Sequence, residues 1–303
     1  MGRERKRNKK LLIINIILLF LVCGIICATV FMYKKYDNLS LNNKDLTSKI
    51  EVSIKEKENF NNELNNSKNE LNTLKESINK IDEIKDEYFS DIRKLEDKIL
   101  KGESDKKIAY LTIDDGPYTK TYDFLKVLKE YNAPATFFVL LKANKEDTYR
   151  DILKEGHSIG NHTASHNLSA NGVYGSTGAF VADIKRLHNY LVQNFNYTPT
   201  LFRFPGGSLT AGNLKLSIAN ALKEEGYSYV DWNVIVGDGS DAQLKQKRPY
   251  EWYKEQSNSK KIITILMHDY SQPTLEDLPK ILKDLKDNGY LILPLSNKSI
   301  MVN

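Results

Sequence analysis

The chain has 303 residues, of which 41% are hydrophobic and 27% charged, which is typical of a folded protein and excludes disordered and collagen-like classes. Its net charge of +5 comes from the first ten residues, which hold six of the 44 basic and one of the 39 acidic side chains. The remaining residues are formally neutral, so they provide no basic surplus for a nucleic-acid-binding face, and no nucleic-acid partner is predicted. Cys23 and Cys27 share one apolar run, which excludes a disulfide framework.

The first predicted element is a transmembrane helix over residues 11–33. These residues carry no charge, and a helix of this length crosses a hydrocarbon core ~30 Å thick. The basic residues of segment 1–10 outnumber Lys34 and Lys35, which predicts a cytoplasmic tail over 1–10 and an extracellular remainder. The alternative is a cleaved signal peptide, whose apolar region is usually about 7–15 residues long. The greater length and the lack of an A-x-A exit favour an uncleaved membrane anchor.

Residues 34–103 are predicted to form a helical stalk, ~100 Å long if fully helical. A heptad pattern runs through it, with apolar residues at most a and d positions and no slip of register from Leu64 to Ile99. This pattern predicts a coiled coil and therefore possible self-association. The alternatives are a helix packed on the neighbouring domain and a partly disordered tether. The a positions are Ile50, Lys57, Leu64, Leu71, Ile78, Lys85, Ile92 and Ile99, and the d positions are Leu46, Ser53, Phe60, Ser67, Leu74, Ile81, Tyr88 and Leu95.

Residues 104–303 are predicted to form the catalytic domain, in which strands alternate with helices. This alternation predicts an α/β domain with parallel strands, arranged either as an open doubly wound sheet or as a closed barrel. No G-x-G-x-x-G follows the first strand, which argues against a dinucleotide site. The predicted strands are 108–114, 135–140, 157–162, 201–205, 227–234, 261–268 and 290–295, and the predicted helices are 119–131, 146–155, 177–194, 211–225, 243–258 and 274–287.

Polar side chains follow five of these strands at their carboxyl ends, where chemistry is expected in either architecture. They are the candidate site residues, because turn residues alone do not account for so many titratable groups at adjacent strand ends. His157 and His188 are interpreted as structural. The candidates are Asp114, Asp115, His162, His166, Arg203, Gly206, Asp238 and His268.

Two of these histidines predict a metal site. His162 and His166 are four residues apart, which places both on one side of a helical turn, and a carboxylate from another strand completes a three-ligand site with a position left for water. Two imidazoles and a carboxylate suit one divalent ion, with zinc favoured and iron, cobalt or nickel as alternatives.

The other candidates suit acid–base chemistry. Adjacent Asp114 and Asp115 allow one carboxylate to bind metal while the other acts as a base. Arg203 is expected to lower the pKa of Asp114, and Asp238 to raise that of His268, which could protonate a leaving amine. The turn at residues 206–207 lets backbone N–H groups approach an oxyanion. Together these features predict metal-assisted hydrolysis of an amide or ester.

The motifs at residues 112–117, 162–166, 203–207, 231–238 and 266–268 resemble, in order, those of the polysaccharide deacetylases, the NodB-homology family or carbohydrate esterase family 4. The resemblance covers about residues 108–295. It implies a deformed (β/α) barrel and metal-dependent removal of N-acetyl groups from a glycan.

The resemblance also implies the role of each site residue. Asp115, His162 and His166 match the metal ligands. Asp114 matches the catalytic base, and Arg203 matches the residue that positions this base. His268 matches the catalytic acid, and Asp238 matches the carboxylate that tunes the pKa of this acid. Gly206 matches the residue whose backbone N–H binds the oxyanion. Leu266 matches an apolar wall of the acetyl pocket, and Trp232 lies in the fourth motif. This sequence departs from the family pattern at two positions. Ile113 stands where the family usually has Phe. Gly239 stands where the family often has a tryptophan in the substrate groove, and the loss of that tryptophan is expected to affect glycan specificity.

The sequence therefore predicts a membrane-anchored extracellular enzyme that deacetylates N-acetylglucosamine units of a cell-wall polysaccharide, with peptidoglycan as the first substrate. Chitin-like chains, exopolysaccharide and N-acetylmuramic acid units are alternative substrates. Two alternative functions are a catalytically silent glycan-binding or scaffold protein and a cytoplasmic deacetylase of a small molecule.

Overall fold

The structure is a computed structural model that describes residues 2–300. The side chains of residues 2–9 and 11–14, which include most of the predicted basic tail and the start of the predicted anchor, lie outside the described part, as do residues 301–303. The chain divides into two compact units, one up to Asp82 and the other from Glu83 onwards.

The first unit is part of one long helix, α1, which spans Gly2–Leu100. Its described apolar side chains, from Ile16 to Ile81, are exposed. Within the described residues, α1 is the one helix that is long and apolar enough to cross a membrane by length and composition. The predicted stalk is therefore helical as far as Leu100, and its apolar heptad positions in this unit are exposed.

The end of α1 belongs to the second unit. The helix stops at Leu100 because Gly102 adopts a left-handed φ of 74°. In this cap the Gly102 N–H donates to the Ile99 carbonyl at 3.1 Å, and the Glu103 N–H donates to the Lys98 carbonyl at 2.8 Å. This is the hydrogen-bond pattern of a Schellman cap, in which glycine avoids the strain of a left-handed residue. The helix therefore ends three residues before the end of the predicted stalk at residue 103.

The last turns of α1 pack on the α/β domain. Ile92 and Ile99 are buried, and Glu96 between them is fully buried. The Glu96 carboxylate accepts hydrogen bonds from the Tyr110 hydroxyl at 2.7 Å and from the Ile300 N–H at 2.9 Å. Burying a carboxylate is costly unless it is hydrogen-bonded, so these two donors attach the helix at a defined position. This part of the predicted stalk is a helix packed on its own domain.

The second unit is built on one eight-stranded sheet in which every pairing is parallel. The strands are β1 Lys107–Asp114, β2 Ala135–Val139, β3 Ser158–Asn161, β4 Leu201–Phe202, β5 Ser228–Tyr229, β6 Val234–Ile235, β7 Ile262–His268 and β8 Tyr290–Ile292. Their order in the sheet is β5-β4-β3-β2-β1-β7-β6, and β8 pairs with the start of β1. The sheet curls into a half-barrel, which confirms the predicted α/β class and the deformed (β/α) barrel.

Helices connect the strands and cover the sheet. Their apolar faces pack against strands β1 and β2, whose residues are almost all buried, as expected for a parallel sheet with helices on its faces. A 3₁₀ segment at Ser208–Leu214 precedes the fifth helix. The helices are α2 Thr121–Glu130, α3 Glu146–Lys154, α4 Thr177–Phe195, α5 Lys215–Glu224, α6 Asp241–Leu244, α7 Pro249–Ser257 and α8 Gln272–Asp287.

Two predicted elements are each divided in the structure. The predicted strand 227–234 is split into β5 and β6, because Arg203 binds the carbonyls of Val230 and Asp231 and draws this stretch out of the sheet. The predicted helix 243–258 is split into α6 and α7 by Arg248, which is extended ahead of Pro249 at the start of α7. The remaining predicted strands and helices are present with shifted ends, and β4 is reduced to two residues.

The register of the sheet brings the predicted site residues to one edge. Asp114, the last residue of β1, lies between Phe138 of β2 and His268 of β7. On β3, Asn161 is paired with Phe202 of β4, so His162 and Arg203 leave the sheet side by side.

Candidate active site

A pocket of about 350 Å³ opens at the carboxyl ends of the strands. Nine of the ten predicted site residues line it, and the tenth, Arg203, is fully buried behind it. The structure therefore brings together side chains that are up to 154 positions apart in the chain. The nine residues are Asp114, Asp115, His162, His166, Gly206, Trp232, Asp238, Leu266 and His268.

Asp114 is held by a buried arginine. The Arg203 guanidinium donates from Nη1 to Asp114 Oδ1 at 2.8 Å, and the same nitrogen contacts the Thr112 hydroxyl at 2.8 Å. Its other nitrogens donate to the carbonyls of Val230 and Asp231. Because every contact of this rigid fork fixes its plane, Arg203 sets the orientation of the Asp114 carboxylate.

The pKa of Asp114 differs from the sequence-based expectation. Arg203 does lower it, but burial is the larger effect and leaves the pKa of Asp114 above its usual value. The sequence could identify the charged partner but not the degree of burial, which is almost complete. A carboxylate whose pKa is raised towards neutrality is a stronger proton acceptor than an ordinary aspartate.

His162 is buried and has a defined tautomer. Its Nδ1 lies 2.9 Å from the Arg203 carbonyl oxygen, which can only accept, so Nδ1 carries the hydrogen. Burial lowers the pKa of His162 to about 3, despite the nearby Asp115 carboxylate. The ring is therefore neutral, and the lone pair of Nε2 points to Asp115 Oδ1 at 3.5 Å.

His166 approaches the same oxygen by a different route from the one predicted. Its Nε2 also lies 3.5 Å from Asp115 Oδ1, but residues 162–166 form an irregular loop instead of a helical turn. Thr163 and His166 have left-handed φ values of 68° and 50°. The side chain of Asn161 accepts from the Thr163 N–H, and the Thr163 hydroxyl accepts from the His166 N–H. These local hydrogen bonds stabilise the loop without helical backbone.

The three residues fit a divalent cation. Ligand atoms of Asp115, His162 and His166 all lie within 4.8 Å of one another. Asp115 Oδ1 is buried and has no hydrogen-bond donor among the described residues. A buried carboxylate oxygen without a donor is unfavourable unless a cation compensates it. Two imidazoles and a carboxylate are the ligand types of catalytic zinc sites and also suit other divalent transition metals.

On the opposite wall, His268 is paired with a carboxylate. Its Nδ1 donates to Asp238 Oδ1 at 2.8 Å, and its backbone N–H donates to Asp238 Oδ2 at 2.9 Å. Burial lowers the pKa of His268, but the Asp238 hydrogen bond and charge outweigh burial and raise it to about 9. The imidazolium therefore persists at neutral pH, and its Nε2–H faces Asp115 Oδ2 at 4.0 Å.

Two consecutive glycines with left-handed backbone lie at the pocket, and the first of them, Gly206, lines it. Gly206 and Gly207 have φ values of 74° and 87°, and a Cβ at Gly207 would lie 2.9 Å from the Trp232 ring. The Gly207 N–H donates to the Phe204 carbonyl, whereas the Gly206 N–H has no acceptor within residues 2–300 and lines the pocket. Glycine at both positions therefore allows a backbone donor and an aromatic ring to approach the same space.

Sequence reasoning missed several residues of this site. Tyr270 stacks on His268 with ring centroids 5.1 Å apart, and Leu168, Ile235 and Gln243 also line the pocket. Their one sequence signal was proximity to a motif, since Tyr270 is two residues beyond His268. A Cβ on Gly239 would meet His268 and Gln243 at ordinary contact distances.

Lys142 was also missed. Its ammonium donates to the Asp115 backbone carbonyl at 2.8 Å and lies 3.2 Å from the centroid of the Tyr118 ring. This lysine therefore holds the backbone of the left-handed residue Asp115, whose φ is 71°. No motif includes Lys142, so no sequence pattern pointed to it.

Comparisons with known proteins show the family to which this domain is similar. The sequence model of the family described as polysaccharide deacetylase matches residues 101–230. The chain is 33% identical over 199 residues to a peptidoglycan-N-acetylglucosamine deacetylase of Bacillus cereus, covering 61% of this chain and 68% of the relative. It is 31% identical over 208 residues to another Bacillus cereus protein of that name, and this match covers 64% of this chain and 88% of the relative. The catalytic domain of peptidoglycan N-acetylglucosamine deacetylase from Eubacterium rectale superimposes with a TM-score of 0.58 at 30% identity, over 64% of this chain and 91% of that chain.

Proposed function

Because the chain belongs to the polysaccharide deacetylase family and is a hydrolase, we propose that it removes the N-acetyl group from N-acetylglucosamine units of peptidoglycan. The observation that carries the proposal is the convergence of Asp115, His162 and His166 on one point. A proton acceptor and a proton donor lie beside this point, because Asp114 Oδ2 is 3.7 Å from His162 Nε2 and His268 Nε2 is 4.0 Å from Asp115 Oδ2.

We propose that Asp115, His162 and His166 hold one divalent metal ion, with zinc favoured and cobalt, nickel or iron as alternatives. When bound, the ion supplies a Lewis acid that lowers the pKa of water and polarises the acetyl carbonyl. Its ligand set fits because the neutral His162 ring presents an unprotonated Nε2, and because Asp115 Oδ1 otherwise lacks a partner among the described residues.

The chain's own residues then have distinct tasks in amide hydrolysis. Asp114, oriented by Arg203, accepts a proton from the attacking water. The Gly206 N–H donates to the oxygen on which negative charge develops. His268 donates its Nε2 proton to the leaving nitrogen, and Asp238 stabilises the imidazolium before transfer. The products are acetate and a glycan that carries a free amine.

The substrate pocket is formed by residues around this centre. Leu266 provides an apolar wall and Trp232 an aromatic face beside Gly207. A small apolar recess next to backbone and imidazole donors suits an acetamido group. Gly239 leaves open the place where the family often has a tryptophan, so Trp232 and Tyr270 are the aromatic rings left to contact a sugar.

Acetate release from purified peptidoglycan tests the proposal. The full chain in detergent is expected to release acetate and to convert N-acetylglucosamine into glucosamine, as measured by amino-sugar analysis after acid hydrolysis. Asp115→Ala is expected to lose both bound metal and turnover. Asp105→Ala, at an exposed aspartate, is the matched control and should retain both.

The remaining outcomes select among the alternatives. Release of acetate with muramic acid as the new amino sugar, or release from chitin oligomers or exopolysaccharide instead of peptidoglycan, would change the substrate. Metal-loaded protein that binds glycan but releases no acetate from any acetylated polymer would indicate a binding or scaffold protein.

We further propose that residues 11–33 anchor the protein in the cell membrane, with residues 1–10 in the cytoplasm and the catalytic domain outside. The charge asymmetry around the apolar segment supports this orientation, and residues 34–103 would place the domain near a wall polymer. Protease added to intact cells should digest the catalytic domain while an epitope at the N-terminus stays protected. Protection of the domain would support a cytoplasmic enzyme, and loss of the N-terminal segment from mature protein would support a signal peptide.

A further inference from the structure

A continuous apolar stripe remains exposed along α1 within the first unit. Between residues 60 and 81 the exposed fraction of its apolar side chains lies between 42% and 65%. Large apolar side chains aligned on one helix face are unfavourable in water unless another surface covers them. The stripe, called the seam below, consists of Phe60, Leu64, Ser67, Leu71, Leu74, Ile78 and Ile81.

The spacing of the seam indicates what covers it. Its members alternate at intervals of four and three residues, which is a period of 3.5 instead of the 3.6 of a straight helix. Such a stripe stays on one side of the helix only when two helices wind around each other in a left-handed supercoil. The cover is therefore another helix with the same repeat.

The same register continues into the second unit, where it has a cover. Ile92 and Ile99 occupy further a positions and are 6% and 4% exposed, because the α/β domain packs on them. Phe60 to Ile81 have no comparable cover within residues 2–300, where their exposed fractions remain above 40%.

Charges beside the seam determine the direction of the partner. The g positions Glu63 and Glu70 and the e positions Lys68 and Lys75 flank its centre. In a parallel, in-register pair each g position faces the e position five residues further along the other helix, which places glutamate against lysine. In an antiparallel pair g faces g and e faces e, which places like charges together.

These charges are available for a partner. Residues five apart on one helix are not neighbours, so Glu63 cannot pair with Lys68, nor Glu70 with Lys75, on the same helix. None of the four forms an ion pair elsewhere in the part of the chain that the structure describes. We propose that residues 57–81 form a parallel, in-register coiled coil with the same segment of a second copy of this chain.

Disulfide trapping in full-length protein tests the direction and register. In a background in which Cys23 and Cys27 are replaced by serine, Leu64→Cys and Ile78→Cys lie at two a positions of the seam, and Asn69→Cys lies on the opposite face. Mild oxidation in membranes is expected to link each seam variant to its own kind at least about tenfold faster than Asn69→Cys, because a positions of two parallel helices meet.

Two results would overturn the proposal. One is cross-linking of both seam variants at the rate of Asn69→Cys, which would mean that the seam does not pair. The other is efficient linking of Leu64→Cys to a variant at a d position, Ile81→Cys, but of neither to itself, which would mean an antiparallel pair, because a positions then face d positions of the partner.

Charge reversal tests the flanking pairs independently of cysteine chemistry. Lys68→Glu with Lys75→Glu makes both flanks acidic, and Glu63→Lys with Glu70→Lys makes both basic. Each double variant alone is expected to associate about 10–100-fold more weakly than wild type, and a mixture of the two should recover most of the affinity. Energy transfer between labelled copies in detergent measures this. Failure of the mixture to recover would refute the parallel register, while unchanged acetate release by each variant would show that the catalytic domain is folded.

Discussion

The two walls of the pocket hold His162 and His268 in opposite charge states. The ligand side consists of Asp115, His162 and His166, and the acid side consists of Asp238 and His268. On the ligand side burial lowers the pKa of His162 to about 3, whereas on the acid side the pKa of His268 rises to about 9.

The difference comes from the partner of Nδ1. Burial disfavours the charged ring on both sides. His162 donates from Nδ1 to a neutral carbonyl, that of Arg203, while His268 donates to the Asp238 carboxylate. The Asp238 carboxylate, with smaller contributions from Asp114 and Asp115, keeps His268 protonated, whereas His162 stays neutral, so one pocket of about 350 Å³ holds histidines in both charge states.

The largest expected effect separates the two adjacent carboxylates. Asp114→Asn should lower kcat by about 10²–10⁴-fold, the usual contribution of a general base, because the amide cannot accept the proton while it still fits beside Arg203. Bound metal, measured by elemental analysis, should remain near the wild-type ratio. Asp115→Asn is the matched variant and should lose the metal. Activity of Asp114→Asn within tenfold of wild type would remove Asp114 from the role of base.

A second substitution acts on the acid side alone. Asp238→Asn removes the charge that favours the His268 imidazolium, so kcat should approach that of His268→Ala, a loss of about 10²-fold or more. Metal content should not change, because no ligand is touched.

Thr274→Val is the control for Asp238→Asn. The Thr274 hydroxyl donates to Asp238 Oδ2 at 2.7 Å, so the variant loses one hydrogen bond and keeps the carboxylate. Its loss of kcat should be clearly smaller. Equal losses in the two variants would mean that local packing, and not the carboxylate charge, supports His268.

The sequence predicted most of the fold because apolar periodicity and turn residues reflect local preferences. It placed the strands that form the centre of the sheet, including β1 and β7. The sequence-based prediction of a continuous strand over 227–234 failed because a distant side chain competes for the backbone hydrogen bonds of the sheet. The carbonyls of residues 230 and 231 bind Arg203 instead of a neighbouring strand. Such an interaction joins positions 27 residues apart and leaves no periodic signal.

Within the site, motifs located the chemical groups but not their surroundings. Spacing suggested a helical turn for His162 and His166, yet side chains of Asn161 and Thr163 hold a left-handed loop. The pKa of Asp114 depends on how far it is buried, which one residue and its neighbours in sequence do not reveal. Lys142 and Tyr270 lie outside the motifs; tertiary packing brings Lys142 to the backbone of Asp115 and Tyr270 to the pocket.

A third prediction concerns the support of the ligand side. Lys142→Met removes the ammonium that binds the Asp115 carbonyl and retains most of the packing volume. Groups that orient metal ligands typically contribute 10–100-fold to metal affinity, and an effect of about tenfold is expected here because Lys142 contacts the backbone. Competition with a metal chelator measures it. The exposed Lys126→Met should leave affinity unchanged, and equal affinities in all three proteins would show that Lys142 does not position Asp115.

The prediction with the smallest expected effect tests whether burial alone accounts for the low pKa of His162 on the ligand side. His157 is buried like His162 but lies outside the pocket, and its Nδ1 accepts a hydrogen bond from the Ala135 N–H at 3.1 Å. Burial lowers the pKa of His157 from 6.5 to about 4. Because the unfolded state binds the proton more readily, His157 leaves stability intact above about pH 6.5 and reduces it as the pH falls towards 4.

His157→Gln retains an acceptor for Ala135 and removes this titration. Between pH 7 and pH 5 the wild-type catalytic domain should lose about 2 kcal/mol more unfolding free energy than the variant, measured by denaturant titration followed by near-ultraviolet circular dichroism in detergent. If the two proteins lose stability equally, burial does not hold His157 neutral. The low pKa of His162 would then have to come from nearby positive charges such as that of Arg203, because the Asp115 carboxylate raises it, and the two walls would differ in more than the partner of Nδ1.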